Sequence, residues 1–207
     1  PLALGTGAAL MSTALMFSIP EKAQAESASF YFDRAYKKGE EGDHYGAMSD
    51  YNKAIEIDSG DHISFYNRGL SKIHLNDHYG AISDFNRAID LNATYAQFFA
   101  DRGLSKRAIK DYQGALLDYN KAIEIDSNYR VAYFNRGNLK GDNLDDSYGA
   151  ISDYIKSIKI DPAHFQSYRN RGIQKQKIGD MKGACSDWEK ASELGDVVAE
   201  KVVKENC

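Results

Sequence analysis

The sequence contains little proline: three residues among 207, of which Pro1 and Pro20 lie in the first twenty. Because proline interrupts helices, its scarcity leaves long helices possible over most of the chain. Neither sign of charge dominates, since 26 basic and 30 acidic residues are interspersed and the net charge is −4. This pattern excludes a positively charged surface of the kind that binds nucleic acid, and it excludes a polyacidic tail. Hydrophobic residues make up 43% of the chain and include 14 Tyr and 9 Phe, which is sufficient for a packed core.

Motifs for catalysis and metal binding are also lacking. No nucleophile elbow, P-loop, dinucleotide fingerprint or Ser-His-Asp order can be placed in its required context. His74 and His78 are four residues apart but straddle a predicted helix end, and Asp77 beside them has no ligand-type spacing. His44 and His78 occupy equivalent turn positions and repeat one another. We therefore expect no enzymatic activity, no metal site and no cofactor.

Charge is absent from Leu2 to Ile19, and the polar chain that follows begins near an Ala-Gln-Ala sequence at residues 23–25. A signal peptidase accepts this small-x-small form, so residues 1–25 are predicted to be a signal peptide cleaved after Ala25. An uncleaved membrane anchor is the alternative, because the uncharged run is nearly long enough to span a bilayer. Either interpretation predicts export to a periplasm, a thylakoid lumen or the extracellular space. After cleavage, no stable membrane insertion is expected.

A short polar-basic-small triplet recurs along the rest of the chain. Its third members are 34, 34, 34 and 35 residues apart. The copies are Asp33-Arg34-Ala35, Asn67-Arg68-Gly69, Asp101-Arg102-Gly103, Asn135-Arg136-Gly137 and Asn170-Arg171-Gly172. A second marker, with Gly-Ala at its end, follows each triplet at twelve residues, or thirteen in the fourth copy. Fixed periodicity of this length indicates a repeat architecture, with the extra residue in a turn between two helices.

Small and large residues alternate in register within each unit, which is typical of helices that interdigitate. The period and this pattern resemble the tetratricopeptide repeat (TPR) family over residues 28 to 198. The resemblance implies an all-α superhelical solenoid of five helix-turn-helix repeats with a C-terminal capping helix. The predicted repeats are residues 28–61, 62–95, 96–129, 130–164 and 165–198 within a domain of 26–198, and the predicted cap is residues 199–207.

Arginine precedes the small first-helix residue in every copy, where many TPRs have an apolar residue, and aspartate is equally regular on the second helices. Because these helices pack together, the two series predict a structural ladder of bidentate ion pairs. The arginines are Arg34, Arg68, Arg102, Arg136 and Arg171, and the aspartates are Asp50, Asp84, Asp118, Asp153 and Asp187. Lysines also recur one turn later, at Lys38, Lys72, Lys106, Lys140 and Lys175. We interpret the lysines as a solvated face whose stems cover apolar surface.

Cys185 and Cys207 are the two cysteines. The last second helix is predicted to end near Leu194-Gly195, and a short helix over 197–206 would return the C-terminus to the level of Cys185. A disulfide is therefore expected in an exported protein, with two free thiols as the alternative.

The family resemblance implies that first helices line a concave groove that binds a protein or peptide. The expected groove residues are Phe32, Tyr36, Tyr66, Asn67, Leu70, Leu104, Phe134, Asn135, Asn138, Arg169, Asn170 and Ile173, with Ala100 beside them. Up to half of the aromatic rings are expected to pack between repeats instead. TPRs that clamp a C-terminal carboxylate have Lys and Asn where this chain has Phe32 and Tyr36, so that type of recognition is not expected. The chain is similar to exported bacterial and cyanobacterial TPR scaffolds of the envelope or thylakoid lumen, and a self-associating structural protein is the alternative.

Overall fold

The computed structural model describes residues 27–207, and the predicted signal peptide at residues 1–25 lies outside them. Within residues 27–207 the chain forms eleven α-helices and no strands. The helices are α1 (Ala28–Glu40), α2 (His44–Ile57), α3 (His62–His74), α4 (His78–Leu91), α5 (Ala96–Ala108), α6 (Tyr112–Ile125), α7 (Arg130–Asn143), α8 (Ser147–Ile160), α9 (Phe165–Lys177), α10 (Met181–Glu193) and α11 (Val197–Asn206). The predicted all-α solenoid is confirmed.

Every second helix begins with the same cap. An aspartate directly before the helix accepts a hydrogen bond from the backbone N–H of a glycine three residues later, at 2.8 to 2.9 Å. These aspartates are Asp43, Asp77, Asp111, Asp146 and Asp180. Each cap satisfies a backbone donor that the helix itself leaves unpaired. The repeated Asp-x-x-Gly sequence therefore sets where α2, α4, α6, α8 and α10 begin.

Within a repeat, a glycine on the first helix contacts an aromatic ring on the second. A Cβ atom added to Gly69, Gly103, Gly137 or Gly172 would lie 2.5 to 2.9 Å from the facing ring. The first repeat has Ala35 at this position. The facing rings, Tyr51, Phe85, Tyr119, Tyr154 and Trp188, are at most 2% exposed. The small residue is thus required for the close approach of two helices around a buried ring.

Successive repeats stack so that each second helix packs on the first helix of the next repeat. First helices of neighbouring repeats also contact one another, more extensively than neighbouring second helices do. The stack therefore curves with α1, α3, α5, α7 and α9 on its inner side. This inner surface, here called the concave groove, is the one that the family resemblance predicts to bind a partner.

Each arginine of the repeated triplet binds its aspartate through two nitrogens. The Nε–Oδ2 distances are 2.7 to 2.9 Å and the second contact is 2.5 to 2.6 Å. The interpretation of the recurring lysines as a solvated face is wrong. Their Nζ atoms lie 2.8 to 2.9 Å from the same aspartates, because one helical turn places Arg and Lys over one carboxylate. The repeated unit is an Arg-Lys-Asp triad.

Aspartate carboxylates in these triads are nearly inaccessible, with 2 to 5% of the side chain exposed. In the first repeat, the hydrogen bond from Arg34 lowers the pKa of Asp50 to about 2, with further help from Lys38. A carboxyl with a lowered pKa contributes stability at pH above its ordinary value of 3.8, and that stability is lost as the pH falls through 2. The triad of Arg34, Lys38 and Asp50 is therefore intact at neutral pH.

A disulfide bond joins Cys185 on α10 to Cys207 at the end of α11, with a Cα–Cα distance of 5.7 Å. α11 begins at an Asp196 cap, and Asp196 also binds Arg169 of α9 at 3.0 Å. Ala199 of α11 is fully buried against the last repeat. α11 thus covers the end of the solenoid and is held there by an ion pair, apolar contacts and a covalent bond.

Removal of this disulfide is expected to lower the free energy of unfolding by about 3 kcal/mol, because the bond closes a loop between residues 22 apart. The test is urea unfolding, followed by circular dichroism, of the wild type and of the double variant Cys185→Ser, Cys207→Ser. Reductant should shift the wild-type transition toward that of the variant and leave the variant unchanged. Equal unfolding midpoints of oxidised wild type and variant would contradict the prediction.

Candidate partner-binding groove

The first two repeats enclose a cavity of about 100 Å³ that opens on the concave groove. Three predicted groove residues line it: Tyr36, Asn67 and Leu70. Tyr36 is 51% exposed, and Leu70 is half-buried. An aromatic ring, an aliphatic side chain and an amide around one opening suit a peptide segment with an apolar anchor.

Two histidines for which the sequence predicts no functional role, His44 and His74, complete the lining of this cavity. The rings of His44 and His74 stack at 4.3 Å with their planes 5° apart. His44 Nδ1 is buried and has no hydrogen-bond partner among residues 27–207. The pairing joins α2 of the first repeat to α3 of the second, whereas sequence spacing related His44 and His74 only to His78. Only the stacking of repeats brings these two rings together.

The middle of the groove contains a carboxylate held by a tyrosine. The hydroxyl of Tyr66 donates to Asp101 Oδ2 at 2.7 Å across α3 and α5. Burial raises the pKa of Asp101, and the hydrogen bond from Tyr66 partly opposes that rise. Leu104 lies half-buried on the same helix. Ala100, expected in the groove, is fully buried instead, since it packs in the cluster that joins α5 to α7.

In the C-terminal half, one tyrosine and two asparagines form a hydrogen-bonded network. Tyr154 donates its hydroxyl proton to Asn138 Oδ1 at 2.7 Å, and Asn170 Nδ2 donates to the same oxygen at 2.9 Å. Arg169 is committed to Asp196 and supports the capping helix. The side chain of Asn135 is half-buried and makes no hydrogen bond within the described residues, so its amide group can bind a peptide backbone.

The predicted apolar anchors divide into two kinds. Phe32 packs on Tyr51 with ring centroids 5.7 Å apart, and Tyr66 packs on Phe98 at 4.7 Å. Phe134 contacts the His164 ring edge-on at 4.9 Å. These rings are half-buried and stabilise the stack. Tyr36 at one end and Ile173, 38% exposed, at the other project farther from it and are the more accessible anchors.

No group of three or more His, Cys, Asp or Glu side chains within residues 27–207 is arranged to hold a metal ion. In the same part of the chain, no helix combines the length and the apolar character that crossing a membrane requires.

A family model described as "Tetratricopeptide repeat" matches residues 63–95 and 131–164, which correspond to the second and fourth units of the stack. Among curated proteins, no sequence matches this chain significantly.

Solved structures share the architecture over most of the chain. The crystal structure of MamA is 25% identical, with a TM-score of 0.72 over 84% of this chain and 94% of that one. YrrB, described as a TPR protein with an unusual peptide-binding site, is 20% identical, with a TM-score of 0.69 over 89% of this chain and 95% of that one. The first TPR of Spaghetti (RPAP3), bound to the HSP90 peptide SRMEEVD, is 24% identical, with a TM-score of 0.54 over 55% and 90% of the two chains.

Proposed function

Because the chain is a tetratricopeptide-repeat protein, we propose a role in binding other proteins. In this role it is a non-catalytic scaffold, and its ligand is an extended segment or a helix of the partner. The concave groove is the proposed binding surface. Two of the similar solved structures are described as having a peptide-binding site or a bound peptide, which supports this choice of ligand.

One observation carries the proposal: the cavity between the first two repeats, with Tyr36, Asn67 and Leu70 around its opening. It combines an exposed ring with an amide, so an apolar side chain and the backbone of one segment can be held together. The remaining groove continues this pattern along the stack, with Asn135 and Ile173 in the last two repeats. An extended segment could therefore contact successive repeats.

An exported location is part of the proposal. The disulfide between Cys185 and Cys207 supports an oxidising compartment, where such bonds persist. The predicted signal peptide at residues 1–25 supports the same location. The proposed setting is a periplasm, a thylakoid lumen or the extracellular space.

The test is selection of random linear peptides, displayed on phage, against the immobilised full chain. Synthetic copies of the selected peptides are then titrated by fluorescence anisotropy. Tyr36→Ala and Leu70→Ala are each expected to weaken binding about tenfold, the loss typical of a central anchor. Neither substitution truncates a fully buried side chain, since Tyr36 is 51% exposed and Leu70 is half-buried.

Tyr79→Ala is the matched control. Tyr79 is 74% exposed at the start of the second helix α4, outside the groove, so its removal should leave affinity unchanged. Equal losses for Tyr36→Ala and Tyr79→Ala would place the binding surface elsewhere. A homo-oligomer that buries the groove, detected by size-exclusion chromatography with light scattering, would instead support a self-associating structural protein.

A further inference from the structure

Asp101, in the middle of the concave groove, has a carboxylate without a cationic partner. Three basic residues follow it on α5, and each is bound elsewhere: Arg102 and Lys106 to Asp118, and Arg107 to Asp142 and Asn143. No ion pair to Asp101 is formed within residues 27–207, and the Tyr66 hydroxyl is the donor to its carboxylate. The side chain is half-buried, a position where an unpaired carboxylate is costly. Oδ1 is left without a hydrogen-bond partner from the described residues.

Packing of the repeats does not require a charge at this position. The equivalent residues are Asn67, Asn135 and Asn170 in three other repeats, and Asp33 in the first repeat is exposed. An asparagine at 101 could accept the Tyr66 hydrogen bond through its amide oxygen. A half-buried charge at this position is thus found in the third repeat alone among the five described repeats, and packing of the repeats does not require it.

A second polar group beside Asp101 is also unsatisfied. The hydroxyl of Tyr119 is buried and has no hydrogen-bond partner among the described residues, whereas its counterpart Tyr154 donates to Asn138. Leu104 replaces the asparagine in this repeat and offers no acceptor. Burial is the main cause of the raised pKa of Tyr119; the positive charge of Arg107 lowers that pKa, and Asp101 raises it to a smaller extent. Burial also raises the pKa of Tyr129 most, and Asp101 is the next cause. Asp101 is therefore the strongest charge acting on Tyr129, whereas Arg107 outweighs it at Tyr119.

The Tyr66 ring, whose hydroxyl donates to Asp101, belongs to a cluster of aromatic side chains. Tyr66 packs on Phe98 at 4.7 Å between ring centroids, and Tyr95 stacks on Phe98 at 4.8 Å. The chain uses a carboxylate beside an aromatic ring elsewhere to hold a cation. Arg102, for example, binds Asp118 and lies 5.4 Å from the centroid of Phe99, and Arg136 binds Asp153 and lies 5.6 Å from Tyr133. At Asp101 the carboxylate and the rings are present without the arginine.

We propose that Asp101, with Tyr66 as a positioning residue, forms a subsite that binds an arginine or lysine side chain of the partner segment. This inference rests on the proposed function, because it assigns a charge to the segment that the groove binds. The carboxylate would accept hydrogen bonds from the basic head, and the rings of Tyr66 and Tyr129 would contact its aliphatic stem or its planar face. The partner thereby supplies a cation for Asp101, which has none among the described residues.

The experiment uses the same phage-displayed random peptides, selected in parallel on the full-length wild type, Asp101→Asn and Asp33→Asn. The wild type is expected to enrich arginine or lysine at one peptide position. Asp101→Asn should lose that enrichment, and Asp33→Asn, which removes an exposed carboxylate from the equivalent position, should keep it. Circular dichroism would verify that the variants keep the wild-type helix content.

A selected peptide is then synthesised with arginine and with its neutral analogue citrulline at the enriched position. For the wild type, citrulline should weaken binding about tenfold, as expected for loss of one charge-assisted contact. For Asp101→Asn, the two peptides should bind within about twofold of each other, because the carboxylate that distinguishes arginine from citrulline is gone. The difference between the two ratios, about tenfold and about twofold, then measures the interaction of the peptide arginine with Asp101. Tyr66→Phe should reduce the preference for arginine without abolishing it, because the carboxylate remains but loses its orienting hydrogen bond.

Selected peptides without a basic position, or an arginine preference that persists in Asp101→Asn, would overturn this inference and leave groove binding intact. Failure to select any peptide on the wild type would overturn the proposed function, and this inference with it. The two failures are thus distinguishable.

Discussion

Replacement of Asp118 by alanine is expected to lower the free energy of unfolding by about 4 kcal/mol, within the range for loss of one partner of a buried ion pair. The carboxylate of Asp118 is 4% exposed and neutralises two cations of α5 at once. Without it, Arg102 and Lys106, whose side chains are only 17% and 20% exposed, would face one another in a partly dehydrated site. The destabilisation comes mainly from these unpaired charges and less from the lost attraction.

The measurement is urea unfolding of the wild type and Asp118→Ala, followed by circular dichroism. Glu124→Ala on the same helix is the matched control. Glu124 is 70% exposed and pairs with Lys121, so its loss should change the free energy of unfolding by less than about 0.5 kcal/mol. If Asp118→Ala were no more destabilising than Glu124→Ala, the triads would contribute little to stability.

Replacement of Trp188 by alanine should cost about 4 kcal/mol as well, for a different reason. Trp188 is 2% exposed and packs between α9 and the capping helix, with Ala184 and Ala199 in the same cluster. Its indole N–H donates to the backbone carbonyl of Arg169 at 3.2 Å. Truncation leaves a large cavity in the last repeat and removes the hydrogen bond from the indole N–H, and both effects destabilise the fold.

Hydrogen exchange followed by mass spectrometry would show where this stability is lost. A repeat of a solenoid contacts its neighbours alone, so Trp188→Ala should accelerate exchange in α9, α10 and α11 and leave α1 and α2 protected. Trp188→Phe is the control, because it keeps a ring against Gly172 and should retain more than half of the lost stability. Equal acceleration in α1 and α10 would show that the repeats unfold as one unit.

The fold was predictable from the sequence because solenoid repeats use local rules. The 34-residue period, the small residue opposite a large ring and the Asp-x-x-Gly cap each involve residues within one repeat. Ala35 and Tyr51 in the first repeat are an example: both are buried, and their positions follow from the repeat register. Arg34 and Asp50 could also be related by sequence, since each recurs at a constant place in all five units.

The groove was predicted less completely, because a groove residue belongs to more than one repeat. Tyr36, Asn67 and Leu70 do line one cavity, while Ala100 is buried and Arg169 is committed to the capping helix. The repeat register assigns a residue to the inner face of its own helix. The register does not determine how closely the next helix covers that face, so it cannot separate exposed groove residues from buried ones.

The sequence by itself determined an all-α solenoid, the order of its helices and the residues at which the helices of one repeat meet, because these depend on spacing along the chain. Only the tertiary structure decided that five lysines join the buried aspartates, that His44 stacks on His74 and that Asp101 has no cation. These contacts depend on the angle and distance between helices in three dimensions. Half-buried polar side chains are the most sensitive to that geometry, since a small displacement decides whether a partner, the solvent or a ligand satisfies them.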